Sequence, residues 1–299
     1  MRDAIVVQAV TSATRGRAFG FHRAMDTLGA VIGPLLGVAL LGWAQSWPWE
    51  DSAGPFRFVL WLSIIPGTLA VLAFLTLVKD PEHSPNPELQ FFKALRSLPA
   101  CFKRYLGAVG IFGIGDFYHS LLILAATQLL TPTMGVVQAA QVAGLLYVGR
   151  NVVQVALSYP IGVLADRFGS LPMLVIGYGL GTLTAMLTVL AFWVEVDGLA
   201  ILVVIFISAS LYVAVQEALE STVTADMVSA DTLALSYGAL GTVNGTTKLI
   251  SSSAVGVLWT AVSPVVAFTV AALLMLAGTL LSSGCRVSRL RRAVPARAR

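Results

Sequence analysis

Charge is what this 299-residue sequence has least of. Only 11% of its residues are charged, while 57% are hydrophobic. Soluble domains carry about 25% charged residues. Too few charged side chains are present to cover a water-facing surface, which argues against a soluble globular enzyme and against a disordered chain. Cysteine is nearly absent too. Cys101 and Cys285 are far apart, each near basic residues, so neither a disulfide framework nor a cysteine metal cluster is expected. The three histidines are scattered and no HExxH occurs. The absence of that motif argues against a metalloenzyme, and the absence of a G-x-x-x-x-G-K-[ST] loop against an ATP-driven pump. The opening MRDAIVVQAV lacks the basic-then-apolar build of a signal peptide. No enzyme activity, cofactor, metal or nucleic-acid partner is expected.

What is present in abundance is long apolar sequence, with a mean hydropathy of +0.83. A helix needs about 20 apolar residues to cross a bilayer. Such runs fall at residues 18–44, 58–78, 106–130, 136–163, 171–194, 199–219, 233–261 and 265–281. The expected fold class is therefore an all-α integral membrane protein, a polytopic bundle of about eight transmembrane helices. Basic residues gather on alternate breaks. Lys79, Lys93, Arg96, Lys103 and Arg104 lie in the long break at 79–105, and six arginines lie in the tail after residue 285. Glu50, Asp51, Glu195 and Asp197 lie on other breaks. Positive residues stay on the cytoplasmic side. The basic break, the tail and both termini are thus expected in the cytoplasm of a plasma (inner) membrane, multi-pass protein. Trp43, Trp47, Trp49 and Trp193 fall toward the opposite face, as interface anchors do. The apolar stub at residues 4–10 is too short to span. It reads as the inner end of a helix whose remainder is missing, and an N-terminal truncation is the expectation.

Three motifs carry a resemblance. Gly162-Val-Leu-Ala-Asp166-Arg167-Phe-Gly169 lies between the fourth and fifth runs. Glycines permit a sharp turn there, and an Asp can meet a neighbouring helix N-terminus. The first run contains Gly29-x-x-x-Gly33-Pro34-x-x-Gly37. Glycines four apart let another helix approach closely, and Pro34 can kink its own helix. Ahead of it stands Arg15-Gly16-Arg17-Ala18-Phe19-Gly20. The first segment resembles the G-x-L-a-D-R-x-G loop signature of the major facilitator superfamily, except that Ser170, Leu171 and Pro172 stand where that pattern continues with basic residues. The second resembles the glycine-proline signature on that family's fifth helix, associated with antiporters, although helix packing alone would select the same small residues. The third resembles the loop leading into that helix.

The resemblance covers essentially the whole chain and implies correspondence to helices five to twelve of the family. It makes residues 1–78 the remnant of an N-terminal bundle and 79–105 the central cytoplasmic loop. Residues 106–284 become a C-terminal six-helix bundle and 285–299 a basic cytoplasmic tail. The family's first four helices have no counterpart here.

Ionisable residues inside a membrane are costly and are functional candidates by default. Asp116, Arg150 and Lys248 sit about eleven to fifteen residues into their runs, near mid-bilayer at about 1.5 Å per residue. His119 follows Asp116 by one helical turn, and Asn151 and Asn244 can add hydrogen bonds. These six are the candidate substrate or coupling-ion residues. Asp116 would carry a proton or an ion pair, His119 would titrate, and Arg150 and Lys248 would hold an anionic group or pair with Asp116. Mutual neutralisation of Asp116 and Arg150 between helices is the purely structural alternative. Glu217 and Glu220 are expected at the inner interface, where either could latch to Arg167 and close a gate formed with Gly162, Asp166 and Gly169. Two solvated acids are the plainer alternative. Arg23 and Asp26 are expected to form a local pair.

These readings converge on a secondary active transporter of a small, anionic solute, driven by protons through alternating access, with efflux antiport implied by the glycine-proline element. The competing expectation is a transport-incompetent fragment or membrane scaffold that needs the missing helices or a partner chain. The lipid bilayer, protons and the solute are the expected partners.

Overall fold

The structure is a computed structural model that describes residues 6–7, 10–44, 46–48, 54–77, 96, 98–195 and 198–284. Among these residues the chain is helical, with no strand. Helices α1 (Arg15–Ala44) and α2 (Gly54–Leu77) come first. They are followed by α3 (Ala100–Gly115), α4 (His119–Met134), α5 (Val136–Phe168) and α6 (Ser170–Trp193). Helix α7 (Leu199–Met227), a 3-10 turn (Ala230–Thr232), α8 (Leu233–Ala261) and α9 (Pro264–Ser283) complete the order. Lipid offers no hydrogen-bond partner to a backbone, so apolar runs of this length become helices, which satisfy their own N–H and C=O groups.

The chain forms the all-α, polytopic architecture its hydropathy implies. Among the described residues, five stretches are long and apolar enough to cross a membrane, at Arg57–Leu77, Ala100–Met134, Ser170–Trp193, Leu199–Met227 and Pro264–Ser283. Helices α1, α5 and α8 match the length at 30, 33 and 29 residues. They are more polar because they carry Arg23 and Asp26, Arg150 and Asn151, and Asn244 and Lys248 respectively.

Three boundaries differ from expectation. The run at 106–130 is two helices, α3 and α4, separated at Asp116–Tyr118. Helix α3 starts at Ala100, so Lys103 and Arg104 lie in a helix and not in a loop. Helix α7 continues past residue 219 to Met227 through the polar segment STVTADM, which hydropathy alone read as a loop. Lys79, Lys93, Glu50, Asp51, Asp197, Trp49, Cys285 and the tail arginines lie outside the described residues, as do residues 1–5 and 8–9 of the N-terminal stub.

The chain divides into two compact units, residues 1–24 with 90–299, and residues 25–89. The core of the first unit is aromatic and aliphatic. Phe112 stacks on Tyr178 with ring centroids 3.9 Å apart and planes 9° from parallel. Phe102, Tyr105, Leu174, Tyr212, Leu219 and Met275 pack around them. Gly135 and Gly169 have φ of 79° and 100°. That backbone is available to glycine without a steric penalty, so α4 runs into α5, and α5 into α6, after a single residue. Ser263 caps α9, its side chain accepting from the Val266 N–H, with Pro264 next.

In the second unit, Trp43 and Trp47 meet edge to face at 4.7 Å, and Phe58 lies 5.2 Å from Trp47. This cluster joins the end of α1 to the start of α2. Gly29, Gly33 and Gly37 are in α1, as is Pro34, but a Cβ at any of the three glycines would meet nothing within 4 Å among the described residues.

Candidate functional site

The site begins with the break in the third span. Asp116 takes φ −79° and ψ 84°, and this ends α3. Its N–H bonds back to the carbonyls of Phe112 and Gly113 at 3.0 and 3.2 Å. The Tyr118 N–H, freed by the break, donates to Ser252 Oγ of α8 at 3.2 Å. A broken helix is tolerated at membrane depth only where neighbours satisfy the freed backbone in this way. The break projects a carboxylate into the interior. Asp116 is 6% exposed, and its Oδ2 lies 3.7 Å from Lys248 Nζ. Gln216 Nε2 donates to the same oxygen at 3.3 Å.

The pairing differs from the sequence alternatives. Asp116 and Arg150 do not neutralise each other, because Lys248 holds the carboxylate. Arg150 is buried, at 7% exposure. Its Nη1 donates to Asn151 Oδ1 at 2.9 Å, and its guanidinium carbon lies 5.9 Å from the centre of the Tyr147 ring. Its Nε is buried without a hydrogen-bond partner, and no carboxylate within the described residues pairs with it. His119 is separated from Asp116 by the break, so the two are not successive turns of one helix. Its Nε2 shares a 3.2 Å hydrogen bond with Tyr147 Oη, and its ring stacks on that of Tyr147 at 5.0 Å.

Glu217 and Glu220 are not at the end of α7. The helix runs ten and seven residues past them to Met227, which is roughly 15 and 10 Å at 1.5 Å per residue. Glu217 Oε2 accepts from Gln154 Nε2 at 2.9 Å. Glu220 is 5% exposed. Its Oε1 accepts from Tyr178 Oη and its Oε2 from Asn244 Nδ2, both at 2.6 Å. Asn244 thus serves Glu220. A cavity of about 370 Å³ opens beside these groups, lined among others by Arg23, Gln216, Glu217, Glu220, Asn244 and Lys248. Arg23 reaches further than a local pair, since its Nε donates to the Glu217 carbonyl at 3.1 Å.

The sequence of residues 1–139 matches the model of the Major Facilitator Superfamily. An uncharacterized MFS-type transporter of Methanocaldococcus jannaschii is 27% identical over 281 residues, covering 94% of this chain and 66% of its own length. Uncharacterized proteins of Mycobacterium tuberculosis and Mycobacterium bovis are each 26% identical, over 92% of this chain and 65% of theirs. The chain is thus similar to proteins of the major facilitator superfamily. It spans just under two thirds of the length of these relatives.

The superfamily-type loop at 162–169 is tied to the start of α1. Asp166 Oδ1 accepts from the Gly16 N–H at 2.8 Å. Asp166 Oδ2 accepts from the Arg17 N–H at 3.2 Å and from Arg17 Nε at 3.1 Å. The carboxylate therefore caps α1, where free N–H groups and the helix dipole favour an anion. A Cβ on Gly16 would lie 2.5 Å from the Gly162 carbonyl oxygen. Only glycine on both sides lets these backbones approach so closely. Next to this contact, Arg15 Nη1 pairs with Asp226 Oδ1 at 3.1 Å, and Ser170 Oγ donates to Asp226 Oδ2 at 3.1 Å. Arg167 is exposed and forms no ion pair among the described residues, so the expected latch from Arg167 to Glu217 or Glu220 is not formed. Asp166 with Arg17, and Asp226 with Arg15, bind this end instead.

Sequence reasoning missed Gln216, Gln154, Tyr178, Tyr147 and Ser252. The glutamines had a usable signal. Each is a polar residue inside an otherwise apolar run, and Gln216 lies one turn from Glu220. The tyrosines had none, since Tyr inside an apolar run reads as ordinary core.

Proposed function

We propose that this chain builds the pathway of a secondary active transporter that moves a small anionic solute by alternating access and is driven by protons. It acts from the plasma (inner) membrane with both termini in the cytoplasm. The superfamily match points to transport and not to an enzymatic role. The observation that carries the reading is the charge balance at the broken helix. Asp116 is matched by Lys248, while Arg150 is buried with an N–H to spare. A buried cation without a counter-charge is costly. An anionic group on the solute removes that cost, because a guanidinium offers a carboxylate or phosphate a planar, forked set of donors. Lys248, whose side chain is 42% exposed at the cavity wall, supplies a second contact. The contact of Asp166 with α1 supports a gate at the inner end that must part before the solute leaves there. Efflux antiport is the mode we assign from the resemblance of Gly29, Gly33, Pro34 and Gly37 to the antiporter element.

The test pairs binding with flux. Thermal unfolding of the purified chain is measured with acetate, citrate and phosphate, and then repeated with Arg150→Gln. At least one anion is expected to raise the midpoint, and the substitution to abolish that rise. A midpoint unmoved by every anion overturns the anionic assignment. Absence of pH-driven anion flux in proteoliposomes holding the chain alone favours the scaffold reading over the transporter.

A further inference from the structure

Glu220 is a buried acid without a cation. No lysine, arginine or histidine of the described residues lies within ion-pair distance of it. Both of its oxygens are held by neutral donors, Tyr178 Oη and Asn244 Nδ2, each at 2.6 Å. The Tyr105 hydroxyl from α3 donates to the Glu220 backbone carbonyl at 3.3 Å and fixes this turn of α7. Leaving an ionised carboxylate in a low-dielectric interior with only neutral partners is expensive, whereas adding a proton removes the charge. The cage can accommodate either state. A tyrosine hydroxyl is donor and acceptor in one group. Tyr178 can donate to Oε1 of the carboxylate, or rotate its hydrogen away and accept a proton that Oε1 carries. Asn244 goes on donating to Oε2 in both states, so protonation strands no polar group.

Resting on the transporter reading above, we propose that Glu220, and not Asp116, is the group that takes up and releases the coupled proton. The proton arrives from hydronium in the cavity, which Glu220 lines. It adds to Oε1, converts the carboxylate to the neutral acid, and returns to water on release. The charged and titratable neighbours allow this. On α8, Lys248 is already engaged by Asp116 at 3.7 Å. On α7, Glu217 is held by Gln154, while Tyr212 adds a buried hydroxyl without a hydrogen-bond partner. On α1, Arg23 bonds the Glu217 carbonyl. On α5, Arg150 faces Asn151 and Tyr147.

Two one-turn steps tie the proton to the solute site. Gln216, which holds Asp116, precedes Glu220 by four residues on α7. Asn244, which holds Glu220, precedes Lys248 by four residues on α8. Residues four apart on a helix are neighbours. When Glu220 ionises, Lys248 has two carboxylates to choose between, and its hold on Asp116 and on a bound anion weakens.

The experiment is pH-difference infrared spectroscopy on the full chain in lipid nanodiscs, following the C=O stretch of carboxylic acids. A titrating band is expected in the wild type. It should be lost in Glu220→Gln, kept in Asp116→Asn, and moved in frequency by Tyr178→Phe, which deletes the bond to Oε1. A band that survives Glu220→Gln, or is lost in Asp116→Asn, overturns the assignment. If Glu220→Gln does not fold, Tyr178→Phe decides, and an unmoved band overturns it. Flux is scored separately in proteoliposomes. Proton-driven flux without a Glu220 band overturns the proton site alone. A Glu220 band without flux keeps the proton site and overturns the transporter reading.

Discussion

Asp116 and Glu220 are both buried carboxylates in the same helical unit, yet their surroundings are opposite. Asp116 sits at a helix break, with a lysine and one amide as partners. Glu220 sits inside a continuous helix, with a phenol and an amide as partners and no cation within ion-pair distance among the described residues. One carboxylate has a counter-charge within reach and the other is held by neutral donors. The two tasks proposed above, a solute site and a coupling site, rest on this difference. It comes from which neighbours three-dimensional packing brings up.

The largest way to break the comparison is to remove the cation from the paired site. Lys248→Met should destabilise the chain by about 3 kcal/mol, the low end for a buried pair that loses one partner, because Lys248 is partly exposed. Adding Asp116→Asn should recover most of that loss in thermal or denaturant unfolding. No recovery would mean that Lys248 matters for another reason. Next comes Asn244→Leu, which leaves Glu220 Oε2 without its donor. A loss of about 2 kcal/mol is expected, larger at high pH, where Glu220 is ionised, than at low pH. A loss independent of pH would erase the contrast with Asp116. Tyr178→Phe should cost less, about 1 kcal/mol, because the ring keeps its stack on Phe112. The smallest effects sharpen the same contrast at the inner end. Asp166→Ala removes a helix cap, and about 1 kcal/mol is expected. Its neighbour Arg167, exposed and unpaired in the described residues, should tolerate Arg167→Ala within about 0.5 kcal/mol. Equal costs for the two would contradict the cap geometry.

Much of this was legible in order along the chain. Apolar runs gave the helices, since their length and the bilayer thickness are linked by a fixed rise per residue. The Asp166 contact was legible in kind, as a carboxylate in a tight loop near a helix start. The break at Asp116–Tyr118 was not. Gly113-Ile-Gly115 preceding it is small and apolar and disturbs no hydropathy window, and nothing local announces that Ser252 will accept the freed N–H. The depth of Glu220 was misjudged because the final turns of α7 are polar, and hydropathy ends a helix where polarity begins.

The sequence by itself determined the solvent, the helical class and the rarity of intramembrane charge, because these follow from composition and from periodicities that a linear read detects. Only the tertiary structure decided which charges meet. Lys248 pairs with Asp116 across α8 and the α3 break, Arg150 pairs with no carboxylate among the described residues, and Glu220 is caged by Tyr178 and Asn244. Those partners lie up to 132 residues apart, as with Asp116 and Lys248, and Coulomb and hydrogen-bond energies fall off over a few ångströms in space, not along the chain.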